Sequence, residues 1–201
     1  MGLDDQMRWL LIAGWLPVIF LGLRFRLRAR TAERLDRRQE GLPILLTLRP
    51  LASLHIVLVV AFMVDPSALI VGKVEAPAWM RWSGALFAVA GAATILWTFR
   101  FLGRNLTDTV VTRADATLVT GGPYRWVRHP FYLAFALIVT ANSLCTANAL
   151  VAVTGYAAFA AIAARTRTEE RFLVEKFGAE YTEYAARTPR FVPRLARSRN
   201  P

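Results

Sequence analysis

The chain of 201 residues has one cysteine and two histidines. A lone Cys145 excludes an internal disulfide and any metal site built from cysteines. His55 and His129 lie far apart in sequence, so a zinc site is not expected. Acidic residues are scarce: 14 Asp and Glu stand against 25 Lys and Arg, a formal net charge of +11. Such a surplus suits a nucleic-acid partner, but here the charges fall between apolar blocks, as membrane topology requires, and no nucleic acid is expected. The first apolar run is preceded by Asp4 and Asp5, not by the positive charge of a leader, so no cleavable signal peptide is expected. No internal repeat or low-complexity tract stands out.

What the chain has in quantity is apolar surface. Hydrophobic residues make up 55% of it, and they gather in blocks from Met7 to Leu23, Ile44 to Val64, Trp82 to Phe99, Phe131 to Cys145 and Ala147 to Ala164. The first is at the short end for a spanning helix, and the fourth spans only with tilt or local thinning. Trp9 and Trp15 read as interface anchors. Gly84, Ala88, Gly91 and Ala92 recur at three- and four-residue steps in the third block, a pattern that suits close helix packing. His55 reads as a histidine bonded to a neighbouring helix, with a ligand contact as the alternative. The polar link from Asn142 to Asn148 reads as a tight hairpin.

Charge sets the topology. Arg24 to Glu40 carries seven arginines and reads as cytoplasmic. Asp65 to Arg81 has no positive excess and reads as an outer connector. Gly103 to Gly122 reads as an ordered Thr-rich loop on the cytoplasmic side, and Thr168 to Arg187 as an amphipathic helix with a break at Gly178. The expected fold is an all-α integral membrane helical bundle of about five transmembrane helices with a cytoplasmic loop and a C-terminal amphipathic helix. It divides into N-terminal spans (1–101), a catalytic and cofactor region (102–193) and a basic tail (194–201). Five spans put the N-terminus outside and the C-terminus in the cytoplasm, and the usage of Arg and Ala suggests a bacterial inner membrane. Oligomeric state is silent.

One stretch stands apart. Gly121 to Tyr132 sets two glycines, two prolines, aromatic residues, Arg125, Arg128 and His129 immediately before an apolar block. Polar groups at such a depth are costly unless paired or used. Tyr124, Arg128, His129 and Tyr132 form one cluster, and Arg165, Glu169 and Glu170 form another on the same predicted face. Arg165 and Glu169 are four apart and share a helix side. Taken on spacing alone, they are also what a snorkelling arginine paired at a helix end looks like.

The run Gly122-Pro123-Tyr124-Arg125-Trp126-Val127-Arg128-His129-Pro130-Phe131-Tyr132, with Glu169-Glu170 and then Phe177-Gly178 and Tyr181-x-x-Tyr184, resembles the isoprenylcysteine carboxyl methyltransferase family. Phospholipid methyltransferases share a related signature. The resemblance implies a membrane enzyme that uses S-adenosylmethionine without a soluble Rossmann domain, and no Gly-x-Gly-x-x-Gly follows a strand here. It implies cofactor contacts from Leu118, Val119, Tyr124, His129, Pro130, Tyr132 and Glu169, with Glu170 beside it. It implies Arg165 and Glu169 at the reacting centre, Arg165 orienting the substrate. The acceptor would be a lipid-like or prenylated molecule entering from the bilayer, such as a prenylcysteine carboxylate. Ala134 departs from the family, which commonly has Gly there. Three alternatives stay open: a phospholipid amine methyltransferase with His129 or Glu170 as base, a sterol-type NADPH reductase, and a non-catalytic lipid-binding subunit.

Overall fold

The computed structural model describes residues 1–28, 42–102 and 117–193. Most of the arginine-rich loop (29–41), most of the Thr-rich loop (103–116) and the basic tail (194–201) lie outside the described residues. Six helices carry the rest: α1 (Leu3–Arg28), α2 (Leu42–Val64), α3 (Ala78–Leu102), α4 (Pro130–Thr146), α5 (Ala149–Phe177) and α6 (Ala179–Arg187). Of these, α1, α2, α3 and α5 are long and apolar enough to cross a membrane, while α4 is shorter. The protein is an all-helical integral membrane bundle. Its outer surface is rich in exposed apolar side chains, Leu86, Val60 and Phe20 among them.

Helix α4 packs along α3 and α5, α2 lies against α5, and α1 against α3. The α3–α4 seam depends on missing side chains. A Cβ on Gly84 would lie 2.7 Å from Cys145 Sγ, and one on Gly91 would lie 2.8 Å from Ile138 Cγ1 and 3.3 Å from Ala134 O. Small residues let the backbones approach, as their spacing predicts. Ala134, the departure from the family pattern, is fully buried beside this seam.

The helices run past the hydropathy blocks at their ends. The hairpin between α4 and α5 is only Ala147 and Asn148; Asn142 to Thr146 belong to α4. Ala147 adopts φ 46°, and Asn148 caps α5 by accepting from Leu150 N and Val151 N. The largest extension is in α5, which continues unbroken from the fifth block through Thr168 to Phe177. A 29-residue helix is about 43 Å long, whereas the hydrocarbon core is about 30 Å thick, so its last turns project beyond it. The predicted amphipathic stretch is thus two pieces, broken at Gly178 with φ 55°.

Two polar assignments change. Arg81, read as a connector charge, is a buried residue of α3. Its Nε and Nη2 donate to Cys145 O at 3.1 and 2.7 Å, and its Nη1 to Asp4 Oδ1 at 2.6 Å. It ties α1, α3 and the end of α4 together at one end of the bundle. Trp15, read as an interface anchor, donates inward to Asn142 Oδ1 at 3.2 Å. Asn142 also meets His55, which reaches Val151 O at 3.1 Å. His55 is therefore bonded to neighbouring helices, as expected.

Candidate active site

At the opposite end from Arg81, the segment before α4 folds into a 3₁₀ turn, Gly122–Arg125, which buries Pro123. Gly122 takes φ 58° against the Phe101 ring, where a Cβ would come within 2.5 Å of Cγ. Only glycine adopts that conformation without strain in so little space. Pro130 then opens α4, its missing N–H being one that no helix pairs there anyway.

This leaves the amides of Arg128 and His129 without helical acceptors. A strap after α6 supplies them: Arg128 N donates to Pro189 O at 2.8 Å and His129 N to Arg190 O at 3.0 Å. The Arg128 guanidinium donates from Nη1 to Ala185 O at 2.8 Å and to Thr188 O. Tyr184 Oη donates to Tyr124 O at 2.6 Å. Phe191 packs on His129 and Tyr132, with ring centroids 5.8 and 6.4 Å away.

Helix α5 brings the two glutamates. Glu170 Oε1 takes Arg128 Nε at 2.9 Å and Nη2 at 2.8 Å, and lies 3.2 Å from His129 Nε2. Arg190 closes on the same carboxylate through Nε and Nη2. Glu169 accepts from Tyr132 Oη at 2.6 Å and lies 3.9 Å from His129 Nδ1. The His129 and Tyr132 rings stack at 5.3 Å and 7°. Tyr124, His129, Tyr132, Glu169 and Glu170 are thus brought together. Pro130 is buried at the start of α4. Arg165 stands one turn before Glu169 on α5, half-buried, and Leu118 and Val119 lie half-buried in the segment leading to the turn.

Burial pushes the phenols up. That of Tyr184 rises to about 12, and those of Tyr124 and Tyr181 rise further, with the charges of Glu169 and Glu170 adding to burial. All three remain neutral hydrogen-bond donors at any physiological pH. The hydroxyl of Tyr181 is buried with no protein partner among the described residues. The hydrogen bonds from Arg190 to Glu170 raise the Arg190 guanidinium further above its ordinary value. Nothing local in the sequence singles out Arg190 or Phe191. The neighbouring Pro189 and Pro193 mark only where a helix does not continue.

Residues 84–175 match the sequence model of the isoprenylcysteine carboxyl methyltransferase family. That segment of the chain is similar to this family. It contains α4, His129, Tyr132, Arg165 and both glutamates, but not α6 or the strap. Over 125 residues the chain is 36% identical to the cobalt-zinc-cadmium resistance protein CzcN of Cupriavidus metallidurans, covering 58% of this chain and 55% of that one. It is 33% identical over 104 residues to the protein-S-isoprenylcysteine O-methyltransferase of Saccharomyces cerevisiae, covering 50% and 44%. The solved eukaryotic intramembrane Ras methyltransferase, an isoprenylcysteine carboxyl methyltransferase, superposes with a TM-score of 0.53 at 24% identity. The superposition covers 57% of this chain and 42% of that one, and what it carries is the helical fold. The chain spans about half the length of the curated relatives it matches.

Proposed function

We propose that the protein is an integral-membrane methyltransferase that takes its methyl group from S-adenosylmethionine and places it on a lipid-like acceptor, a prenylcysteine-type carboxylate. The observation that carries this reading is the convergence of Glu169, Tyr132 and His129 at one end of the bundle, inside the family-matched segment. The residues fit the cofactor. The Glu169 side chain is partly exposed, open to a cationic or hydroxyl-bearing group. The buried Tyr181 hydroxyl supports the fit, since such a group ordinarily has a partner.

When bound, S-adenosylmethionine supplies an already activated methyl group. What remains for the protein is alignment, which is worth several kcal/mol of a barrier. Tyr132 holds Glu169 by its 2.6 Å hydrogen bond. Arg165, one turn before it, orients an anionic acceptor, a task suited to a planar guanidinium. A carboxylate acceptor is ionised at neutral pH and needs no base. That agrees with Glu170, whose two oxygens are already taken by Arg128, Arg190 and His129. On this reading the site faces the cytoplasm at a bacterial inner membrane, with the N-terminus outside.

Binding of labelled S-adenosylmethionine to the purified protein tests the proposal. Saturable binding that Glu169→Ala and His129→Ala abolish is expected. Binding of NADPH in its place, or binding indifferent to both substitutions, would refute it.

A further inference from the structure

We propose that the turn leading into α4 carries a binding site for the phosphate of an anionic phospholipid, built on Arg125 and Trp126, with Arg24 and Arg100 supplying surplus positive charge at the same level. At this end of the bundle the carboxylates nearest the turn are used inside the protein. Glu170 is held by Arg128 and Arg190, and Glu169 accepts from Tyr132. Arg24, Arg100 and Arg125 are exposed, and none has a carboxylate partner among the described residues. At the opposite end Lys73 and Arg81 instead share Asp4, at 3.1 and 2.6 Å.

The chemistry of the site is set by Arg125. Its guanidinium lies over the Trp126 ring, 5.2 Å from the centroid. That contact uses the cation and leaves its N–H donors, none of which has a protein acceptor among the described residues. A planar fork of unused donors matches the paired oxygens of a phosphate.

The surroundings fix the source of that phosphate as a lipid. Trp97, Phe101 and Trp126 are exposed aromatic side chains. Trp97 meets Phe101 edge-on at 6.4 Å, and Gly122 of the turn lies against the Phe101 ring. The membrane-spanning helix α3 ends here, at Leu102, and exposed tryptophans at the end of a span sit at headgroup level. A phospholipid covers such rings with its glycerol and upper acyl carbons, whereas a phosphate ion gains nothing from them. Phe25 and Phe99 pack at 6.0 Å, which brings the end of α1 beside the end of α3 and sets Arg24 and Arg100 at one level. Cations without counter-charges favour an anionic headgroup over a zwitterionic one, which brings a cation of its own. Arg125 stands three residues before Arg128, and Tyr124 beside it carries the bond from Tyr184. A bound headgroup therefore restrains the segment that opens the candidate site. The lipid assignment does not depend on the methyltransferase reading.

Native mass spectrometry of the full chain in detergent, titrated with phosphatidylglycerol or phosphatidylcholine of the same acyl chains, tests this. Phosphatidylglycerol is expected to be retained in preference. Arg125→Gln and Arg100→Gln are each expected to weaken its retention about fivefold, the effect of one basic residue at an anionic surface. Lys73→Gln, at the other end, is expected to change nothing. Arg125 is exposed, so its variants should fold, and equal melting of wild type and Arg125→Gln in lipid-free detergent checks this. Equal retention of the two lipids, or retention of phosphatidylglycerol indifferent to Arg125→Gln, would overturn the proposal. So would a loss in Lys73→Gln as large as that in Arg125→Gln. Arg125→Lys keeps the charge and loses the fork; wild-type retention in that variant would overturn the assignment of the phosphate to the guanidinium. Inorganic phosphate at the lipid concentration is expected to displace no phosphatidylglycerol, and displacement would make a free anion the ligand and overturn the lipid assignment.

Discussion

Replacing Arg128 by lysine should release the C-terminal strap without unfolding the bundle. Arg128 sends Nε and Nη2 to Glu170 and Nη1 to the carbonyls of Ala185 and Thr188, from a side chain 11% exposed. A lysine ammonium keeps the charge but cannot reach acceptors on both sides of a planar fork. It retains the pairing with Glu170 and loses the two strap carbonyls. At about 1.5 kcal/mol for each hydrogen bond from a charged donor, the loss is about 3 kcal/mol, or roughly a hundredfold in a local opening equilibrium. Hydrogen–deuterium exchange of the protein in detergent reads this directly. The amides of Arg128 and His129, bonded to Pro189 O and Arg190 O, should exchange roughly a hundredfold faster. Peptides from the α3–α4 seam should be unchanged. If exchange around Arg128 stays at the wild-type rate, the guanidinium does not hold the strap. If the seam accelerates equally, the strap is not a separate unit.

Three further outcomes follow from the same geometry. Gly84→Val forces a side chain into the 2.7 Å gap to Cys145 Sγ and should cost about 1–3 kcal/mol, a fall in Tm of several degrees read from the thermal exposure of the buried Cys145 thiol. Arg81→Met removes both donors to Cys145 O and the Asp4 pairing; it should destabilise by about 2–3 kcal/mol in the same assay while leaving cofactor affinity intact. Tyr132→Phe should do the reverse, weakening S-adenosylmethionine binding roughly tenfold by freeing Glu169 while shifting Tm little, as titration calorimetry and thermal unfolding together would show.

The spans were legible because hydropathy and arginine placement report the same physics that inserts helices, and the α3–α4 seam because small residues repeat at helical steps. Helix ends were less so. The fifth block stops at Ala164 because polarity begins there, but backbone hydrogen bonding does not stop where the side chains become charged, and α5 runs on to Phe177. Arg81 was invisible as a clamp because its acceptor is a backbone carbonyl of a residue 64 positions away. The candidate site was half legible. His129, Tyr132 and the glutamates carry unusual chemistry in a short motif, whereas Arg190 and Phe191 look like an ordinary basic tail. Arg190 acts by pairing with Glu170, 20 positions back, and Phe191 by packing on His129 still further back along the chain, and no local pattern encodes either. The family match ends at residue 175, before the strap, so similarity gives no help there either.

On the proposed function, one end of this membrane bundle gathers a cofactor and a lipid-like acceptor around Glu169 and His129. The most direct test is mass spectrometry of a total lipid and peptide extract incubated with the purified protein and methyl-labelled S-adenosylmethionine. A labelled product bearing a carboxyl methyl ester is expected, absent when Arg165→Ala or Glu169→Ala replaces the wild type. Label confined to amines, or a wild type that transfers none while the cofactor is bound, would contradict it.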